Sequence, residues 1–296
     1  MAKALLMTDA PILVFGRNGQ LARALRRCLL ARGEEVRAVG SGELDLASDP
    51  EGAAGHVRGV RAVVNAAAWT AVDAAETEAS KNTALNARAP GVMAEACAEA
   101  GVPFVHVSTD YVFDGTGNAP LSPDGRTDPL NAYGRAKLSG ERAVAEAGGN
   151  SLVVRTSWVF DGTGKNFPNT MLRLAESRNH LSVVDDQWGR PTHAGHLAEA
   201  IFAALDVGWT GHRVEHVQGA GEPVTWAGFA REVFRQADRD VEVEGVDTEA
   251  YPTPAKRPAW SVLDCSRFER VFAHPLQPWR SGVELMLWER ERGVGI

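Results

Sequence analysis

The chain is poor in cysteine. Its three cysteines, Cys28, Cys97 and Cys265, are an odd number and lie far apart. This excludes a disulfide framework and a cysteine-based metal site, and suits buried thiols in a reducing compartment. No apolar run approaches the ~20 residues that a bilayer-spanning helix needs, and the opening stretch MAKALLMTDAP is too short and interrupted to read as a signal peptide. Positive charge is in deficit, with a formal net charge of −7 and a pI near 5.7. That balance disfavours a nucleic-acid or anionic-membrane surface and leaves room for one local basic pocket. The expectation is a cytoplasmic protein with no nucleic-acid partner and no membrane. Internal repeats and low-complexity linkers are lacking too. The histidines include the pairs His193/His196 and His212/His216, but no cysteine or carboxylate stands near them at ligand spacing. They read as helix-surface or loop residues, and no metal site is expected.

What is present fits an ordinary globular chain: 296 residues, 44% hydrophobic and 23% charged, enough for one large domain or two modest ones. The apolar run Ile12–Phe15 is followed by Gly16-Arg17-Asn18-Gly19-Gln20-Leu21-Ala22 and an amphipathic helix through Arg32. Strand, glycine turn and helix in that order form a dinucleotide-binding arrangement, here with GxxGxxA spacing. The glycines let backbone approach a pyrophosphate, and the helix amino terminus favours its charge. A second strand, Glu35–Val39, closes on Gly40 and Ser41, where no acid waits for the ribose of NAD. Arg17 and Arg37 lie near enough to meet a ribose phosphate, so NADPH is favoured and NADH stays the alternative. Both arginines also read as plain solvated surface. Leu44-Asp45-Leu46 reads as a turn into a short helix. Val60–Ala68 is a buried strand ending in Asn65-Ala66-Ala67-Ala68-Trp69, whose small residues suit a flat ligand or simply tight packing. A helix over Lys81–Ala100 carries Asn86.

The strand Pro103–Val107 delivers Ser108 and Thr109 to its carboxyl end. Beyond an acidic, proline-rich loop, Tyr133 and Lys137 stand four apart at the start of a helix and share one face. An ammonium beside the phenol lowers its pKa, as acid–base chemistry on a carbonyl or alcohol requires. The strand Ser151–Thr156 follows, ending in Ser157-Trp158-Val159-Phe160. Alternating strands and helices predict an α/β fold, a doubly wound parallel sheet of Rossmann type, with its ligand crevice beyond the strands' carboxyl ends. Less regular pieces follow: helices over Asn166–Glu176, Ala194–Leu205, Val224–Ala237 and Trp279–Arg292, a strand and loop over Leu181–Thr192, and a proline-punctuated loop over Tyr251–Pro258. Residues 1–160 with about 193–220 read as the dinucleotide-binding domain, and about 161–192 with 221–296 as a smaller, discontinuous substrate-binding lobe.

The segments GRNGQL, NAAAWTAVDAAE, STDYVFDG, NAYGRAKLSGE, RTSWVF, KNFPNTMLRLA, DDQWGRPT and YPTPAKRPAWSVLD run nearly end to end. Through them the chain resembles the extended short-chain dehydrogenase/reductases and, within these, the dTDP-4-dehydrorhamnose reductase family. The resemblance implies reduction of a nucleotide-linked 4-keto sugar. Tyr133 would be the proton donor, Lys137 would bind the nicotinamide ribose and tune Tyr133, and Thr109 would bond the substrate carbonyl. Gly16, Arg17, Gly19, Gln20 and Leu21 would line the pyrophosphate side, Asp45 and Leu46 the adenine, and Ala67, Ala68 and Trp69 the rest of the cofactor. Asp110 and Trp158 would contact the sugar nucleotide, Asn86 would support the lysine, and the planar fork of Arg257 suits the substrate's diphosphate. Two departures stand out: Ala22 where a third glycine is common, and Trp69 where tyrosine or histidine is usual. The resemblance also implies a homodimer in some relatives, assisted by a divalent ion such as magnesium that this sequence does not indicate. Two rivals stay open: a reductase of another nucleotide-linked 4-keto-6-deoxysugar, and a non-catalytic NADP-binding regulatory subunit.

Overall fold

Ile12–Phe15 forms strand β1, and all four side chains are buried because the strand lies inside a sheet covered on both faces. The computed structural model describes residues 10–294; the segment through Asp9, read above for a leader, lies outside the described residues. After β1 the chain turns at Gly16, whose φ is +101°, and a Cβ there would sit 2.9 Å from the Ala67 amide nitrogen. Only glycine serves both demands. Helix α1, Gln20–Ala31, buries Leu21, Ala22, Ala24, Leu25 and Leu29, the stripe its spacing predicts.

Strands β2 (Val36–Val39) and β3 (Ala62–Asn65) follow. The expected strand to Ala68 ends at Asn65, so Ala66–Ala68 lie beyond it, with Ala66 still donating to the Phe15 carbonyl, and border the crevice. The single helix expected over Lys81–Ala100 is three pieces: α2 (Ala79–Thr83), a π-helical turn over Ala84–Arg88, and α3 (Ala89–Ala100). Pro90 explains the break, since it has no N–H for the Asn86 carbonyl one turn back. Strand β4 (Phe104–Thr109), helix α4 (Ala132–Glu146) and strand β5 (Ser151–Thr156) complete the first half. Asn131 caps α4 by accepting the Gly134 amide hydrogen at 2.8 Å.

The second half alternates less plainly. It runs through β6 (Val159–Phe160), α5 (Phe167–Leu174), β7 (His180–Val184), β8 (Trp188–Gly189), β9 (Thr192–His193) and α6 (Ala194–Val207). Then come β10 (His212–His216), β11 (Val224–Thr225), α7 (Trp226–Gln236), β12 (Glu242–Val246), α8 (Ser266–Phe272) and α9 (Trp279–Glu291). Three of these, β10, β12 and α8, carry no clear local signal. The histidine pairs are also placed differently from expectation. His212 and His216 lie on a strand, with His216 fully buried, and buried His193 caps α6 through the Gly195 amide.

The main sheet has the order β10-β5-β4-β3-β1-β2 with every pairing parallel. The strand order reverses around β1, between β2 and β3, and it is there that a doubly wound sheet opens its crevice. One face of the sheet packs on α1, α6 and α8, the other on α3 and α4. A third apolar cluster joins α5, α7, α9 and β7 away from the sheet.

Candidate active site

A cavity of about 630 Å3 opens at the carboxyl ends of β1, β3, β4 and β5, bordered by Gly19, Gln20, Leu21, Ala68, Thr109, Asp110, Tyr133, Lys137 and Trp158. A second cavity of about 220 Å3 is bordered by Gly16, Arg17, Ser41, Asp45, Leu46 and Ala67. The two share Asn18, Gly19, Ala66 and Ala68, so they form one groove across the amino terminus of α1. That groove can take an extended dinucleotide with its pyrophosphate at the glycine turn.

Tyr133 and Lys137 stand one turn apart on α4, both buried. Burial pushes the Tyr133 phenol above its ordinary range, while the neighbouring Thr109 hydroxyl pulls the other way. The phenol therefore keeps its proton. This differs from the expected depression by Lys137, because the Lys137 ammonium group is spent elsewhere. Its Nζ donates to the Val107 carbonyl at 2.7 Å and lies 3.3 Å from Nε2 of His106. Burial lowers its pKa to about 8, against a smaller opposing pull from Glu141. Thr109 donates to Asp110 at 2.9 Å and accepts the Tyr111 amide hydrogen. Asp110 is buried, which raises its carboxyl to about 6 despite the opposing pull of the Ser261 and Thr109 hydroxyls.

Other expected residues are engaged by neighbours, Ser108 and Arg17 while still bordering the groove. Ser108 gives its hydroxyl to Glu141 at 2.5 Å, which Arg155 grips with both arms in a buried ion pair. Arg257 does not border the cavity; its fork is taken by Asp73, at 3.1 Å from Nη1 and 2.9 Å from Nη2. Arg37 borders neither cavity. Arg17 does, and pairs with Glu43 at 2.7 Å. The Glu43 carboxylate, held low first by the Gly40 amide and then by Arg17, occupies the neighbourhood where the sequence offered no acid. The Trp69 ring points out, its indole bonding the Ala71 carbonyl. Asn86 does not reach Lys137. Its side chain instead clasps the Trp69 backbone, accepting its amide hydrogen and donating to its carbonyl, which fixes the loop beside the cofactor groove.

Trp158 has a left-handed φ of 49°, a conformation that costs a bulky residue energy and that surrounding contacts must enforce. Its ring stacks on Trp226 with centroids 3.6 Å apart, and a Cβ on Gly189 would lie 2.8 Å from that ring. Trp226 thus joins the cavity from α7 with no signal at the level of local sequence. Gln20 ties the turn to the far side, donating to the Val159 carbonyl and accepting from Asn166. His106 and Asn65 were also missed, although His106 stands two residues before Ser108 and so shares its face of β4. Among the described residues no group of three or more His, Cys, Asp or Glu side chains is placed to hold a metal ion.

Residues 10–292 match the family model described as the RmlD substrate binding domain. The chain is 43% identical over 291 residues to dTDP-4-dehydrorhamnose reductase of Salmonella typhimurium, covering 94% of this chain and 97% of the relative. It is 40% identical over 282 residues to the Mycobacterium tuberculosis (strain ATCC 25618 / H37Rv) protein of the same name, covering 93% and 92%. Among solved structures it resembles dTDP-4-dehydrorhamnose reductase from Bacillus anthracis in complex with NADP, with a TM-score of 0.88, 31% identity, and coverage of 95% of this chain and 99% of the other.

Proposed function

The chain belongs to the RmlD substrate-binding-domain family, and on that premise we propose that it reduces dTDP-4-dehydro-L-rhamnose to dTDP-L-rhamnose with NADPH. The observation that carries the reading is the meeting of Tyr133, Lys137 and Thr109 in a cavity continuous with the glycine-turn groove. The groove suits the cofactor on its own terms. A Cβ at Gly16 would collide with the Ala67 amide, so backbone is bare on both sides where a pyrophosphate would lie. Gly19 caps α1 with no side chain of its own over the helix end, and Arg17 with Ser41 borders the ribose end. Bound there, NADPH supplies a hydride to C4 of the sugar.

The protein's part is to place the ketone and deliver one proton. Tyr133, kept neutral by burial, gives its proton to the oxygen as negative charge develops there. Thr109, which borders the same cavity, would bond the substrate's carbonyl oxygen. Lys137, one turn further along α4, would hold the nicotinamide ribose. Trp158 and Asp110 border the sugar end, and binding energy from the remote nucleotide is spent on orientation.

The test supplies purified protein with NADPH, separately NADH, and enzymatically prepared dTDP-4-dehydro-L-rhamnose. Loss of reduced-nicotinamide absorbance together with dTDP-L-rhamnose as product is the expected result, faster with NADPH. Turnover only with a different nucleotide-linked 4-keto-6-deoxysugar would replace the substrate. No turnover with any keto-sugar, despite nucleotide binding, would overturn the reading.

A further inference from the structure

Two tryptophans meet at the edge of the larger cavity, and one of them is strained. Trp158 and Trp226 both border it, with ring centroids 3.6 Å apart and ring planes 15° from parallel. The backbone around Trp158 is pinned. Its carbonyl accepts the Thr192 amide hydrogen at 3.2 Å, and the next carbonyl, of Val159, accepts from Gln20 at 3.3 Å. A bulky residue keeps a φ of 49° only where its surroundings over-determine it. These bonds set where the Trp158 Cβ points. They leave the plane of its indole to the neighbouring side chains.

One short stretch acts on both rings. Gln187 and Gly189 lie two apart at the start of β8 and so face one side. Gly189 lies against the Trp158 ring, where a Cβ would come within 2.8 Å of it. Gln187, 6% exposed, takes the Trp226 indole hydrogen on Oε1 at 3.2 Å. Its Nε2 donates to the Thr248 hydroxyl at 2.9 Å, and that hydroxyl donates to Asp186 at 2.5 Å. The chain runs one way, because an indole N–H can only donate. Flipping the Gln187 amide would set donor against donor at Trp226. Trp226 itself starts α7, beside β8 through the pairing of Thr225 with Trp188, and Phe167 packs on it with centroids 4.7 Å apart. Trp226 is thus fixed from outside the cavity, and Trp158 is fixed against Trp226.

We propose that Trp226 and Gln187 are positioning residues for Trp158: they hold its indole as a fixed aromatic wall against the C–H face of the substrate's sugar ring. The inference rests on the reading of the cavity as a nucleotide-sugar site. With its N–H spent on Gln187, Trp226 presents carbon to the cavity, which suits a sugar face of hydrogens and a methyl group. Loss of either residue would free the Trp158 ring to turn about its side-chain torsions. The sugar would then lose its register while the nucleotide kept its own contacts.

Two measurements without turnover test this. Stacked indoles couple their electronic transitions and give a paired positive and negative band in far-UV circular dichroism, and Trp158 with Trp226 is the one stacked tryptophan pair among the described residues. Trp158→Phe and Trp226→Phe should each abolish the same couplet, and the double variant should match either single one. Gln187→Leu should shrink it. In titrations, Gln187→Leu and Trp226→Phe should weaken binding of dTDP-L-rhamnose about three- to tenfold and leave dTDP and NADPH close to their natural affinities. A packing role alone would weaken all three or none. A couplet that is absent from the natural protein, or that survives Trp226→Phe, overturns the proposal. So does an equal loss, or none, for dTDP and dTDP-L-rhamnose in a folded variant. If the natural protein bound no dTDP-L-rhamnose, the substrate reading would fall, and the couplet would still decide whether Gln187 and Trp226 fix Trp158.

Discussion

Asp110 holds its proton to about 6, against 3.8 for an unburied aspartate, because burial outweighs its hydrogen bonds. In the unfolded chain the same group ionises about two units lower. Between those values the native state binds the extra proton, so stability falls as pH rises from about 4 to 6 and is level beyond. Asp110→Asn removes that loss. Urea unfolding across this window should show the variant gaining up to about 3 kcal/mol on the natural protein, and a difference independent of pH would refute the assignment. Beside the smaller cavity, Arg17 and Glu43 oppose each other in cofactor choice. The arginine suits a ribose phosphate, and the carboxylate repels it. Glu43→Gln should shift the ratio of kcat/KM for NADPH over NADH upward by roughly three- to tenfold, a modest effect because the pair is partly exposed. Arg17→Ala should move it down. The reverse pattern would place the phosphate elsewhere.

At the level of elements, α4 carries Tyr133 and Lys137 and packs against the π turn over Ala84–Arg88. The Asn86 carbonyl, released by Pro90, is met by Gly140, where a Cβ would lie 2.2 Å away. Gly140→Ala should therefore lower both melting temperature and kcat, costing about 1–3 kcal/mol by overpacking, although alanine is the better helix former by about 1 kcal/mol. A stabilised, fully active variant would show that the contact yields. The sequence revealed α4 well, because Tyr133 and Lys137 share a helical turn and a local spacing states their adjacency. It concealed the π turn, since Lys81–Ala100 has continuous helical composition and only Pro90 marks the break. It also concealed the partnership of Asn65 with His106, which exists only through the register of two strands far apart in sequence. The partners of Arg257 and Asn86, Asp73 and Trp69, could not be read from the sequence because they are not adjacent to them along the chain.

Across the whole molecule, the sheet and the outlying cluster of α5, α7 and α9 are joined through buried Glu289. This residue of α9 pairs with Arg27 of α1 at 3.0 Å, accepts the Gly162 amide hydrogen at 2.7 Å, and lies 3.3 Å from Nε2 of His193. Glu289→Ala would strand these groups together, and should cost roughly 3–5 kcal/mol of unfolding free energy by the usual penalty for a broken buried pair. A loss below about 1 kcal/mol would show that water replaces the carboxylate. The parallel order of the first five strands was legible because strand and helix patterns alternate there. Strand β10 was not, since His212–His216 has one aliphatic residue, and buried Glu215 depends on Arg213 and Arg267 rather than on any local pattern.

The central claim is that the buried phenol of Tyr133 protonates the sugar oxygen. Its most direct test is Tyr133→Phe, with NADPH affinity measured by titration and turnover measured on dTDP-4-dehydro-L-rhamnose. The account predicts NADPH affinity close to that of the natural protein and kcat lower by about 100-fold or more. Full turnover with the phenyl ring in place would contradict it, and the proton would have to come from another group in the cavity.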